Sequence, residues 1–270
     1  MTEVLTGEQI DAEAALLDKA EIDGQQIRQT TSIWPDLSMD DAYRIQQAWL
    51  DRKLARGEKV VGHKIGLTSR AMQAAMNIAT PDSGFLTDQM IYAPDSQLKA
   101  ADFCDPKLEI ELAFVLESDL GGHDLAIADV LDATSYVTPA VELIAARSYR
   151  RDPNTGRTRT VIDTISDNAA DAGIVCGGTR VGPREVDLRW ISALGYRNGV
   201  IEETGVAAGV LDHPATGIIW LARRYAEQSK VLEAGQTILA GSFTRPIDVR
   251  PGDDFRFDYG ALGSFDLTFT

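Results

Sequence analysis

Residues 108–114 read LEIELAF. Leu108, Ile110, Leu112 and Phe114 alternate as one face of a strand packed on a core, whereas the opposite face carries Glu109 and Glu111 before turning apolar at Ala113 and Val115. Side chains two apart in a strand share a face about 6.6 to 6.8 Å apart. Two ionised carboxylates at that separation repel by roughly 2.5 kcal/mol at an effective dielectric near 20, and by more where water is excluded. A solvated face would hold such a pair, but the apolar continuation points to a buried one and so to a compensating charge. A third glutamate, Glu142, stands alone among the apolar residues of VTPAVELIAA. Three carboxylates without adjacent bases suit a hard divalent ion, Mg2+ or Mn2+, which prefers oxygen ligands and leaves positions open for substrate. Zinc would call for His or Cys, and none is near in sequence.

The period of two recurs in VVGHKIGL (60–67), LEIELAFVLE (108–117), VTPAVELI (137–144), LGYRNGVIEE (194–203), QTILAGSFT (236–244) and DDFRFDYG (253–260), all of which read as strands. Asn198-Gly199 is a hairpin signal. The first 57 residues read differently. Thr6 and Gln9 resemble a capping box ahead of Ile10, Ala14, Leu17 and Ala20, with Leu16 widening the stripe. A second helix starts at Ser38, carries Asp40 and Asp41 in its first turn and Arg52, Lys53 and Arg56 near its end, and stops at Gly57. A further helix is predicted from Pro214 to about Gln228. The chain therefore reads as α+β: a helical N-terminal segment over 1–57 and a β-rich region over 58–270, together one domain.

In GHKIGLTSR, Lys64 lies between Gly62 and Gly66 on one strand face, with His63 on the other. The glycines suggest clearance for a ligand beside an ammonium that could polarise an oxygen or relay a proton, although they could equally be incidental. His63 reads as a hydrogen-bonded core residue. Asp82 sits in a turn-like Pro-Asp-Ser-Gly context. The loop RSYRRDPNTGRTR (147–159) holds five arginines in an acidic protein, either as a solvated loop or as a cationic rim for an anionic substrate.

Lys plus Arg number 26 against 41 Asp plus Glu, and the net charge of -15 opposes binding to a nucleic-acid backbone. The acidic N-terminus lacks a signal-peptide pattern and no run reaches the length of a membrane span, so a cytoplasmic protein without membrane partners is expected. Cys104 and Cys176 fit no metal or disulfide spacing and read as buried thiols.

The blocks GHKIGLTSRAM, TPDSGFLTDQM, LEIELAFVLE, VTPAVELIAAR, TVIDTISDNAADAG, DLRWISALGYRNGVIEETGVAAGVLDHP and GSFTRPIDVRPGD together resemble the hydratase/decarboxylase branch of the fumarylacetoacetate hydrolase superfamily, from about residue 30 to the C-terminus. The resemblance implies a β-rich rolled mixed sheet, dependence on Mg2+ or Mn2+, and a homo-oligomer. It assigns Glu109, Glu111 and Glu142 to the metal, Lys64 and Asp82 to catalysis, and Ser242 and Thr244 to substrate. Arg70 stands where some relatives carry another basic residue. The activity implied is hydration, in aromatic catabolism, of a 2-oxo-enoate with a distal carboxylate. The wording at His63-Lys64 and Pro81–Gly84 favours a seven-carbon dicarboxylate over a five-carbon dienoate or decarboxylation of an oxalocrotonate. A non-catalytic partner subunit is the alternative from another class. Arg147 is counted among the substrate-binding residues, and Arg147, Arg157 and Arg245 are all possible contacts for the distal carboxylate.

Overall fold

The hydroxyl of Thr6 accepts from the Gln9 amide while the Gln9 carboxamide oxygen accepts from Thr6 N–H, so the expected capping box starts helix α1 (Gly7–Asp23). Ser38 caps α2 (Met39–Ala55) by accepting from the Asp41 amide at 3.0 Å. Leu17 of α1 meets Ile45 and Trp49 of α2 in a small apolar cluster. Leu16 does not widen this stripe; it is exposed, and the buried places beside it go to Glu13 and Asp18. Those carboxylates are matched: Glu13 pairs with Arg28 and accepts from the Trp34 indole, and Asp18 pairs with Arg56 and accepts from Trp49. The chain is seen here as a computed structural model that describes residues 5–75, 78 and 80–270; residues 1–4 of the predicted N-terminal segment lie outside it.

Beyond α2 the strands follow in order as β1 (Val60–Gly66), β2 (Asp82–Thr87), β3 (Ile91–Tyr92), β4 (Ser96–Leu98), β5 (Lys107–Leu116), β6 (Thr134–Ile144) and β7 (Asp171–Cys176). After them come β8 (Ser192–Arg197), β9 (Val200–Val206), β10 (Thr237–Leu239), β11 (Ile247–Asp248), β12 (Asp254–Asp258) and β13 (Ser264–Phe269). Among the described residues these form a mixed sheet in the order β2-β1-β10-β5-β6-β7-β3, with β11 beside β5, and a second sheet in the order β4-β13-β12-β8-β9. Leu108, Ile110, Leu112 and Phe114 of β5 join Phe255, Phe257 and Phe269 in the core between the sheets. The other face of β5 turns inward, where Ala113 packs with Ala140, Ile174 and Leu239. The glutamates share that inward face.

The first sheet is rolled, and one side chain ties β2 to the segment leading into β7. Asn168 accepts from Phe85 N–H at 2.9 Å and donates to Phe85 C=O at 3.1 Å, so its carboxamide serves β2 as a strand neighbour would. Its carbonyl comes so near that a Cβ at Gly84 would lie 2.5 Å away. Asn168, Ala169 and Ala170 are all left-handed (φ 51, 51 and 65), a strained run that the buried contacts hold in place.

Three local expectations are revised. Asp82 begins a strand rather than a turn and pairs with Gly66 of β1, because Asn168 and Gly84 complete the edge on which it lies. QTILAGSFT is extended only over Thr237–Leu239; at Gly241 the chain takes φ +108 and leaves the sheet. The Arg147–Arg159 loop packs onto the helical segment: Gln29 donates to the carbonyls of Tyr149 and Arg157, and Arg157 donates to the Thr31 carbonyl. The predicted hairpin forms at Asn198-Gly199, both with positive φ, and the predicted C-terminal helix forms as Ala215–Ala226.

Candidate metal centre

Register brings the three glutamates together. Glu109 of β5 stands directly opposite Glu142 of β6, and Glu111 lies one same-face step along β5. One carboxylate oxygen from each falls within 4.8 Å of the others. Glu111 and Glu142 are fully buried, and Glu109 is partly exposed. Burial pushes Glu109 up to about 7, with the Glu142 charge adding to the rise. Burial likewise raises Glu142 to about 7 against the opposing pull of Lys64, and lifts Glu111 well above the usual carboxylate range. The backbone N–H of Gly241 donates to Glu111 Oε2 at 2.8 Å, but Glu111 Oε1 and both Glu142 oxygens have no hydrogen-bond donor. Orphaned buried oxygens in an all-carboxylate set fit a hard divalent cation, which Glu109, Glu111 and Glu142 would hold. Gly241 would then fix one ligand from behind.

Lys64 Nζ lies 3.3 Å from Glu142 Oε1 as a buried ion pair without hydrogen-bond geometry. Burial lowers the lysine's affinity for its proton, but Glu142, Asp82 and Glu109 more than reverse this, so Lys64 stays an ammonium. Asp82 is buried and raised by desolvation, with Lys64 and Arg159 opposing; its Oδ1 has no hydrogen-bond partner. The glycines flanking Lys64 have different reasons from the expected ligand clearance. A Cβ at Gly62 would lie 2.0 Å from the Thr237 carbonyl, so that glycine admits β10. One at Gly66 would lie 2.2 Å from Asp82 Oδ1 and 3.0 Å from Lys64 Nζ, so that glycine lets the two groups approach.

A cavity of about 440 Å³ opens beside the triad, lined by Gly66, Thr68, Glu109, Glu203, Ser242, Thr244 and Arg245 among others. Ser242 and Thr244 thus share a wall with Glu109. The Ser242 hydroxyl is engaged at 3.2 Å with the Ile110 carbonyl and at 3.0 Å with that of Thr244, which shapes the turn.

The expectation for Arg147 is corrected. Its side chain is buried, and its guanidinium donates to the Asp167 carboxylate at 2.6 Å and to the carbonyls of Asp167 and Asp171 while lying over the Trp49 ring. It lines a different cavity, of about 460 Å³, with Lys53 and Cys104. Four of its five N–H groups are engaged within the fold, and Arg147 is not among the residues that line the cavity beside Glu109. Arg157 donates to the Thr31 carbonyl and hydroxyl and is not among the residues that line the cavity beside Glu109. His63 is the buried core residue expected, 3.0 Å from the Tyr225 hydroxyl and lowered to about 4 by burial. Sequence reasoning passed over Asp171, a buried carboxyl raised to about 7 by desolvation against the pull of Lys64, with Oδ2 unpartnered. Its sequence signal is an acidic residue opening the short apolar run DAGIVC.

The rolled sheet and its acidic centre define a class: the chain belongs to the family of 2-oxo-enoate hydratases and 4-oxalocrotonate decarboxylases, and its fold is like that of fumarylacetoacetate hydrolase proteins. It is 53% identical over 256 residues to the 2-oxo-hept-4-ene-1,7-dioate hydratase of Escherichia coli, covering 95% of this chain and 96% of that one. It is 34% identical over 265 residues to the 2-keto-4-pentenoate hydratase of Paraburkholderia xenovorans, covering 98% and 96%. In structure it matches the 4-oxalocrotonate decarboxylase of Pseudomonas putida G7 complexed with magnesium and adipate, with a TM-score of 0.94, 34% identity and complete coverage of both chains. No family model matches the sequence. No helix of the described residues is long and apolar enough to cross a membrane.

Proposed function

We propose that this protein hydrates 2-oxo-hept-4-ene-1,7-dioate to 4-hydroxy-2-oxoheptanedioate with the help of Mg2+ or Mn2+, acting in the cytoplasm as a homo-oligomer. The observation that carries the reading is the cluster of three inward glutamates, two of them with unpartnered oxygens, beside a buried ammonium and a second carboxyl. The identity of 53% to a hydratase of this substrate supports the choice of the seven-carbon dioate. A divalent cation held by Glu109, Glu111 and Glu142 supplies Lewis acidity toward a 2-oxo carboxylate.

The remaining work is proton movement. Asp82, with a free Oδ1, takes a proton from C3, and the Lys64 ammonium delivers one to C5. The double bond then lies between C3 and C4, in conjugation with the 2-oxo group. The hydroxyl of water bonds to C4 while its proton returns to Lys64, and Asp82 gives its proton back to C3, so both residues are reset, one water is consumed and no other product forms. Ser242 and Thr244 hold the substrate against the cavity wall that they share with Glu109.

The test is the ultraviolet loss of the conjugated dienoate with five-, six- and seven-carbon substrates, with and without metal. Metal-dependent hydration that is fastest with the seven-carbon dioate supports the reading. Release of CO2 would reassign the chain as a decarboxylase, and inertness toward every substrate with Mg2+ present would leave a non-catalytic partner.

A further inference from the structure

Arg245 is the one cation among the described residues that line the cavity beside Glu109. Its position is set by contacts on both sides. Upstream, Gly241 N–H donates to Glu111 Oε2 and Phe243 N–H to the Ile110 carbonyl. Downstream, Ile247 pairs with Leu108. The chain at Arg245 therefore bows out from β5 between anchors that bracket Glu109, and Pro246 restricts the arginine's own backbone to extended conformations.

The head group is less constrained than its base. Arg245 Nη2 lies 2.7 Å from Glu203 Oε1, yet the arginine side chain is 82% exposed while that of Glu203 is 15% exposed. Glu203 is held in β9 opposite Gly195, so the arginine is the partner open to solvent. An ion pair so open to water holds weakly. A guanidinium fork, by contrast, takes a carboxylate through two parallel hydrogen bonds wherever the approach is open.

Resting on the function proposed above, we infer that Arg245 is the specificity-determining residue for the distal carboxylate of the substrate, and that Glu203 holds it in readiness and competes for it. A chain ending two carbons earlier, without the second carboxylate, would leave the Arg245–Glu203 pair undisturbed. The five-carbon acid then gains nothing from this end of the cavity.

Binding separates this inference from turnover. The probes are 2-oxoheptanedioate and 2-oxopentanoate, saturated acids with no double bond to hydrate, titrated by calorimetry with Mg2+ at pH 8. The native protein is expected to bind the dioate at least tenfold more tightly, the scale of one charge-assisted pair. Arg245→Met should reduce that ratio to within about twofold by weakening the dioate alone, and Glu203→Gln should tighten the dioate severalfold. A native protein without preference, or a preference that survives Arg245→Met, overturns the assignment. If Glu203→Gln weakens the dioate as much as Arg245→Met does, the competition is refuted. A preference that Arg245→Met abolishes, in a protein that hydrates no enoate, would sink the hydratase reading and leave Arg245 as a dicarboxylate contact.

Discussion

Lys64 Nζ lies 3.3 Å from Glu142 Oε1, and both side chains are almost wholly removed from water. Such a pair is a poor stabiliser, since desolvating two charges offsets most of their attraction. Its value lies in keeping an ammonium beside carboxylates that burial pushes toward neutrality.

Lys64→Met should lower the hydration rate by about 10²- to 10⁴-fold, the range for loss of a positioned proton donor. Mg2+ affinity at pH 8.5 should not weaken, because a nearby ammonium repels the ion. Steady-state assays and metal titration of the same preparation check both. Loss of metal binding together with activity would make Lys64 a structural support of the carboxylates instead.

The carboxylates also link stability to pH. Glu109, Glu142 and Asp171 titrate near 7 in the folded chain, above ordinary values of 4.5, 4.5 and 3.8. The folded state therefore holds more protons than the unfolded state, and this contribution to stability is lost as pH rises through 7. His63 acts oppositely: lowered from 6.5 to about 4, it costs stability as pH falls from 6.5 through 4. Between pH 6.5 and 8 the carboxylates dominate, so the Tm of chelator-treated protein should fall across that window. Added Mg2+ should raise Tm more at pH 8 than at pH 6, where binding must first expel protons. A flat profile with and without the ion would contradict this linkage.

Much of this centre was legible in the sequence. Alternation in LEIELAF placed Glu109 and Glu111 on one face, and the isolation of Glu142 suggested its burial. What could not be read was set by contacts between residues far apart in the chain. Asp82 looked like part of a turn because Pro, Ser and Gly surround it, and the strand it begins depends on Asn168, more than eighty residues later. The glycines beside Lys64 stand out in the sequence, but only the fold shows that one admits β10 and the other Asp82. Arg147 sits in a loop rich in arginine, and nothing local says that Asp167 and Asp171 take most of its donors.

Asn168→Ala would leave both the N–H and the C=O of Phe85 without their partner in the interior. At about 1–3 kcal/mol for each orphaned group, a loss of roughly 2–6 kcal/mol is expected in urea denaturation. Activity should fall further than stability requires, since β2 carries Asp82. A change within about 0.5 kcal/mol would mean that the roll closes without this side chain.

Arg147→Met removes the closest partner of the buried Asp167, leaving it the Ser148 N–H and the longer Arg159 contact, and should destabilise by about 3 kcal/mol. The preference of the surviving folded enzyme for seven- over five-carbon substrates should be unchanged. A stable variant with a raised KM for the dioate alone would return Arg147 to the substrate site.

The most direct measurement is equilibrium binding of Mg2+, with hydration followed in the same samples, for the native protein and for Glu109→Gln, Glu111→Gln and Glu142→Gln at pH 8. One ion per native chain is predicted, with binding and hydration lost together in each variant and native activity abolished by chelation. Full hydration by chelated native protein, or a variant that keeps its activity without the ion, would contradict the three-glutamate metal centre.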